Sequence, residues 1–217
     1  MSDAIDERRV LKDRIIEAAL VNAAFDGWTR GGLVAAGREL EIDAPTVRRL
    51  FAGRGDAALD WLDDWLDRRM LSSVPAESLE AMPVRKRISS LVRARFKVVN
   101  GHEEAMRRAA LARGLGGNMI ATARSTWRTA DRIWAAAGFA DKSTDGFSRY
   151  TRRSLLVGIL VSTFLFWLED KSIDHVDSWS FLDRRIDDAL RIGKASASLK
   201  RFVPFAGRLP VPARRGA

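Results

Sequence analysis

The sequence predicts an all-α protein. Apolar residues recur at steps of three and four along most of the chain, caps and glycines separate the recurring stretches, and no stretch shows the alternation of a half-buried strand. The strongest element is S-L-L-V-G-I-L-V-S-T-F-L-F-W-L, Ser154 to Leu168, which has no charge, no proline and no polar face. A helix that is apolar all round is buried on every side or meets lipid. At 15 residues it falls short of the ~20 that span a bilayer. It is therefore either the central rod of a helical core or one wall around something apolar that the protein carries.

The other elements follow in order. Leu11, Ile15, Ala18 and Phe25 mark the apolar side of a first helix, widened by Val10, Ala19 and Val21 and ending by Gly27. Thr29 is an N-cap for a second helix, roughly 30–41, with Leu33, Val34, Ala36 and Leu40 inward. Asp43 caps a short third helix with Pro45 in its first turn, where a missing N–H costs little; Val47, Leu50 and Phe51 face inward, and Gly53 and Gly55 stop it. Asp56 caps a fourth helix to about Leu71. Trp61, Leu62, Trp65 and Leu66 pack inward, and Asp60, Asp63, Asp64 and Asp67 are expected to face water.

Residues 72–83 form a connection with room for one helical turn. A basic amphipathic helix, 84–99, buries Ile88, Leu91, Val92, Phe96 and Val99 and ends at Asn100-Gly101. Helices over about 102–113 and 118–137 follow, split by Gly114, Gly116 and Gly117, and Gly138 suits the residue just past the second. The last long helix carries Asp183, Arg184, Arg185, Asp187 and Asp188, read as a surface charge pattern with Asp183 reaching Asp187 and Arg184 reaching Asp188.

Composition excludes several chemistries. The chain has no cysteine, so disulfides, zinc–thiolate sites and cysteine nucleophiles are out. Its two histidines, His102 and His175, lack a Glu-x-x-His spacing, so no metal site is expected. No Ser/His/Asp, metal or phosphate-loop arrangement marks an enzyme, and no cofactor is implied. The acidic, polar start matches neither a secretory signal nor a transit peptide, which points to a cytoplasmic protein. A net charge of +9 invites a nucleic-acid reading, but its distribution argues against one. Residues 1–70 hold eleven basic against fourteen acidic residues; the excess of positive charge lies in 85–124 and beyond Arg191.

Two resemblances follow from quoted stretches. G-W-T, L-V-A-A-G-R-E-L-E-I, D-A-P-T-V-R-R-L-F and A-G-R-G-D-A-A-L, taken in order, look like the amino-terminal three helices of TetR-type regulators, a helix-turn-helix ahead of a larger helical ligand-binding part. Operator binding needs phosphate neutralisation. Here Arg48 and Arg49 are offset by Asp43 and the acidic fourth helix, leaving either a DNA reader or a helix-turn-helix kept as a folding module.

Further along stand Ser143-Thr144-Asp145, Tyr150-Thr151-Arg152-Arg153, the apolar rod, Asp170-Lys171-Ser172, and W-S-F-L-D-R-R-I-D-D from Trp179 to Asp188. With Phe25-Asp26-Gly27-Trp28-Thr29, this order resembles the lipid-binding accessory family of coenzyme Q (ubiquinone) biosynthesis, the ninth Coq protein, which is itself built on a TetR-like fold. The resemblance implies a non-catalytic, membrane-peripheral protein, and a homodimer through the last two long helices is expected. It would bind isoprenoid quinone intermediates and phospholipid and present the quinone precursor to a demethoxyubiquinone hydroxylase.

Carried over by position, Tyr150 and Arg152 belong to the partner-binding patch and Arg153 meets a phospholipid head group. Where the family has Trp before this Tyr, this chain has Arg149. Lipid-binding candidates on the rod are Leu156, Ile159, Leu160, Thr163, Phe164 and Trp167. An uncharged helix suits the wall of an apolar pocket, and an arginine fork at its mouth suits a phosphate; the same arginines also suit a solvated helix start.

Beyond Gly193, small residues 195–198 read as a linker. Leu199, Lys200, Arg201, Phe202 and Phe205 then make either a membrane-contacting stretch or a disordered basic tail. The expected organisation is a helix-turn-helix-like module over 1–71, a helical lipid-binding and dimerisation domain over 72–193, and a tail over 194–217. The expected location is peripheral on the inner face of a bacterial membrane. The alternative is a TetR-type DNA-binding transcriptional regulator with a hydrophobic effector.

Overall fold

The computed structural model describes residues 2–52, 57–115, 119–139 and 146–202. The chain is all-α. Its helices are α1 Ser2–Asp26, α2 Arg30–Glu39, α3 Ala44–Leu50, α4 Ala57–Ser73, α5 Ala76–Glu80, α6 Val84–Lys97, α7 Glu103–Leu115, α8 Met119–Trp134, α9 Gly146–Glu169 and α10 Val176–Phe202. No strand occurs among the described residues.

The amino-terminal caps are those the sequence predicts. Gly32 N–H donates to Thr29 Oγ1 at 3.0 Å, and Thr46 N–H donates to Asp43 Oδ1 at 2.8 Å. The α2–α3 crossing is so close that a Cβ on Gly37 would stand 2.4 Å from Val47 Cγ2, so the position requires glycine. Gly53, Gly55 and the Asp56 cap lie outside the described residues. α1 differs from expectation. Its buried stripe is Ile15, Ile16, Ala19, Leu20 and Ala23, while Phe25 is 84% exposed and Val10 and Val21 face outward. Apolar residues stand on most of this helix's circumference, and contact with α2, α4 and α7 decides which of them are covered. The three-helix module is tied to the rest by Trp28, whose buried Nε1–H donates to the Ala105 carbonyl at 2.9 Å.

α4 runs through the middle of the molecule, packed by α1, α6 and α8. Leu62, Leu66 and Met70 are fully buried on it. So are two of the aspartates expected in water: Asp63 is 6% exposed and Asp67 2%. Each is met by arginines from other helices. Arg113 and Arg95 hold Asp63, Arg95 and Arg132 hold Asp67, Arg132 and Arg68 hold Asp64, and Arg68 also holds Asp13. The eight groups form one alternating ladder, cation then anion, across the interior.

Ser125 and Thr129, one turn apart on α8, donate to Asp63 and Asp67, one turn apart on α4. Burial alone would raise the Asp63 carboxyl, but the Arg113 and Arg95 guanidiniums and the Ser125 hydroxyl outweigh it and hold it below the ordinary carboxylate range. Burial opposes the Arg95 charge too, and Asp67 and Asp63 overcome it, raising Arg95 above its usual value.

Two further devices set the carboxy-terminal half. Arg87 donates to the carbonyls of Met82, Ala137 and Glu80, tying the end of α8 to the α5–α6 connection. Gly138, with φ of 92°, lets that arginine approach; a Cβ there would lie 2.9 Å from Arg87 Nη1. At the α9–α10 corner, Asp170 accepts from the backbone N–H groups of Ser172 and Ser178 at 2.8 Å each, and from both serine hydroxyls. Burial opposes its charge, but these four bonds bring the carboxyl down to about 2.

The charges on α10 are not a free surface. Asp183 accepts from Ser89 Oγ and Arg93, and Asp187 pairs with Arg85, so both reach α6 rather than each other. Asp188 is paired with Arg185 and Arg191, not Arg184. Leu182 and Ile186 fill the core between them. α10 continues through the small residues 195–198 as far as Phe202, because Ala and Ser without Gly or Pro do not interrupt a helix already formed.

Removing one partner from a buried ion cluster strands the others. Asp67→Ala is expected to lower the free energy of unfolding by about 3–5 kcal/mol, read as a lower urea midpoint. An unchanged midpoint would show that the ladder is not a stability determinant. Asp170 titrates lower folded than unfolded, so its contribution is present above the ordinary carboxylate value near pH 4 and lost as pH falls toward 2. Asp170→Ala is expected to cost about 1–2 kcal/mol at pH 7. That gap should close in urea titrations repeated between pH 4 and 2.

Candidate functional site

α9 is 24 residues long, because the uncharged rod is extended at its start by Tyr150, Thr151 and the arginine pair. The stretch Tyr150–Glu169 is long and apolar enough to cross a membrane by length and composition. In the fold it lies against α8 and α10 and is buried on one side only. Leu156, Ile159, Leu160, Thr163 and Trp167 point inward, whereas Val161 is 45% and Leu165 57% exposed. An all-apolar helix therefore has an uncovered face.

A cavity of about 450 Å³ opens beside that face, between α6, α7, α8 and α9. Its exposed lining residues, which form the mouth, are Gly114, Ala123, Val161 and Leu165, and its walls carry Phe96, Met106, Ala109, Leu160 and Phe164. Its charged lining residues are little exposed: Asp63, Arg95 and Arg113, the end of the α4 ladder, form a floor together with Thr129. A second cavity of about 290 Å³ lies between α6, α8, α9 and α10, lined by Trp134, Phe139, Leu156, Ile159 and Ile186, with Arg152 among its lining residues.

The rod residues named from the sequence thus divide. Leu160 and Phe164 line the larger cavity, and Leu156 and Ile159 the smaller. Thr163 and Trp167 line neither; Trp167 packs within a cluster of Phe96, Phe164 and His175. Arg153 is ion-paired with Asp131 of α8. Tyr150 is 58% exposed, and its ring lies 6.0 Å from that of Trp127. Leu199, Lys200, Arg201 and Phe202 lie on the helical backbone at the end of α10; Phe205 and the Ser143-Thr144-Asp145 turn lie outside the described residues.

The sequence reading missed the floor. No local pattern distinguishes Asp63 and Asp67 from Asp60 and Asp64. The one signal was complementarity between an acidic fourth helix and the arginine-rich stretch that follows it.

In the helix-turn-helix, Arg49 donates to Thr46 Oγ1, which in turn donates to the Asp43 capping carboxylate at 2.7 Å. One of the two α3 arginines, Arg49, is thus turned back onto its own helix beside a negative charge. Among the described residues, no group of three His, Cys, Asp or Glu is placed to hold a metal ion.

Comparison with known proteins agrees with this architecture. Residues 119–193 match the family model described as COQ9. The mitochondrial ubiquinone biosynthesis protein COQ9 of Xenopus tropicalis is 28% identical over 199 residues, 88% of this chain and 62% of its own length. The human protein of that name is 26% identical over 196 residues, covering 88% and 61%. The rat protein reaches 46% identity over a shorter 70 residues, 32% of this chain and 22% of its own. The chain thus spans less than two thirds of the frog and human proteins. Among solved structures, a TetR transcriptional regulator from Nitrosomonas europaea superimposes with a TM-score of 0.66 at 21% identity, over 82% of this chain and 97% of that one. This chain is similar to the COQ9 proteins over most of its length and has the fold of a TetR-type regulator.

Proposed function

We propose that the chain is a non-catalytic lipid-binding protein of ubiquinone biosynthesis. It takes up an isoprenoid quinone intermediate and presents it to a demethoxyubiquinone hydroxylase while peripheral on a membrane. The observation that carries this reading is the larger cavity. An open-mouthed cavity of about 450 Å³ walled by an uncharged helix, with exposed Val161 and Leu165 at its mouth, is a site for an apolar molecule. The biosynthetic role is supported by the similarity to the COQ9 ubiquinone biosynthesis proteins.

The uncovered face of α9 supports contact with lipid or with a second copy in a homodimer, since a face of that character is an interaction surface. Tyr150 and Arg152, exposed near the start of α9, belong to the partner-facing patch in this reading. Trp127 beside Tyr150 adds an aromatic where the family has Trp in place of Arg149. Arg153 is offered to a phospholipid phosphate, which would share it with Asp131. Leu199, Lys200, Arg201, Phe202 and Phe205 form the membrane-contacting end.

Mass spectrometry of organic extracts from the purified protein should show isoprenoid or phospholipid species, and Val161→Trp, which fills the mouth, should reduce them several-fold without unfolding the chain. An extract free of lipid from the unaltered protein overturns the reading. Deleting residues 195–217 should weaken sedimentation with anionic liposomes, since each basic residue near such a surface contributes on the order of 1 kcal/mol. Equal sedimentation of both forms removes this end from the mechanism.

A further inference from the structure

The larger cavity has a direction. Its exposed lining residues, Gly114, Ala123, Val161 and Leu165, are uncharged, while the side chains of its charged lining residues, Asp63, Arg95 and Arg113, are at most 15% exposed. An amphiphile entering tail-first would push hydrocarbon against ions and leave its polar end among apolar side chains.

The deep end also has a sign. Along the ladder, Asp63, Arg95, Asp67, Arg132, Asp64 and Arg68 each have two oppositely charged neighbours. The two ends have one each. Asp13 ends the ladder on α1, where it accepts from Arg68 and from Trp61 Nε1. Arg113 ends it in the cavity; among the described residues its guanidinium meets one carboxylate, Asp63, and the Leu59 carbonyl, both through Nη2. A row of four cations and four anions that stops on a cation presents positive charge there. A guanidinium carries five N–H donors in a planar fork, matched to an oxyanion. Burial makes such an attraction stronger than at a wet surface.

We infer that the cavity takes its guest head-first: an amphiphile whose polar end is an oxyanion, such as a carboxylate or a phosphate, seats on Arg113, and its hydrocarbon leaves past Val161 and Leu165. This rests on the carrier reading and narrows it. Arg113 selects the head group, and the apolar mouth is indifferent to what the tail is, provided it is apolar.

The test uses three probes with the same sixteen-carbon chain, hexadecanoate, hexadecyl phosphate and hexadecanol, titrated into the full chain at pH 7.5 with intrinsic tryptophan fluorescence as readout. The unaltered protein should bind at least one of the anions about tenfold or more tighter than the alcohol, the factor that one charge-assisted hydrogen bond carries. Which anion binds tighter identifies the head-group class. Arg113→Met should bring the ratio close to one while hexadecanol affinity stays within about twofold.

Arg113→Lys, which keeps the charge next to Asp63, should fold even if the methionine variant does not. Losing the fork, it should retain only part of the anion preference. Equal binding of all three probes by the unaltered protein overturns the head-first inference and leaves the carrier reading standing. So does a folded Arg113→Lys or Arg113→Met variant with undiminished anion preference. Failure of the unaltered protein to bind any of the three overturns both.

Discussion

The ion ladder through the centre of the bundle is the constraint on which the other features depend. Two carboxylates on α4 are taken out of water, and isolated buried charge costs far more than a small domain can bear. The helices around α4 must therefore deliver arginines at fixed heights: Arg95 from α6, Arg113 from α7 and Arg132 from α8. Asp63 and Asp67 are one turn apart and face Ser125 and Thr129, one turn apart on α8, so a slip of either helix by a residue would break both hydrogen bonds. Apolar packing tolerates such slips more easily, because a methyl group has no preferred partner. In this protein the charges set the register and the leucines supply the burial.

The same ladder makes the cavity what it is. Polar groups occupy the floor of the cavity at Asp63, and the residues that line it on α7 include the small Ala109 and Ala110. The result is a space with an ionic inner end and a greasy entrance, which a purely apolar bundle would have filled with side chains. The amino-terminal module supports this arrangement from below. α1 lies against α4 and α7, and the Trp28–Ala105 hydrogen bond joins the helix-turn-helix to the base of α7. The module is thus fastened to the cavity wall through α7.

The stretches by which the sequence resembles the ubiquinone family turn out to be, in large part, instructions for building a corner. Asp170 caps the start of α10 through Ser172 and Ser178. Trp179 donates its Nε1–H to the Asp174 carbonyl, Phe181 stacks on Phe166 at 4.6 Å, and Asp183 and Asp187 bridge to α6. Motifs that identify a family need not be its binding residues. Here they hold α9 and α10 at the angle that leaves one side of α9 uncovered. The cavity itself is built mostly from residues outside those motifs, on α4, α6, α7 and α8.

By itself the sequence determined the helical class, most helix boundaries, the caps at Thr29 and Asp43 and the unusual character of α9, because these follow from spacing and side-chain chemistry within a few residues. Only the tertiary structure decided which face of α1 is covered, that α9 is buried on one side only, and that Asp63 and Asp67 are buried while Asp60 stays at the surface. Those outcomes depend on neighbours tens of residues away. A carboxylate has the same local signature whether its counter-charge is water or an arginine from another helix, and the floor of the cavity exists because α4 has arginines around it on three other helices.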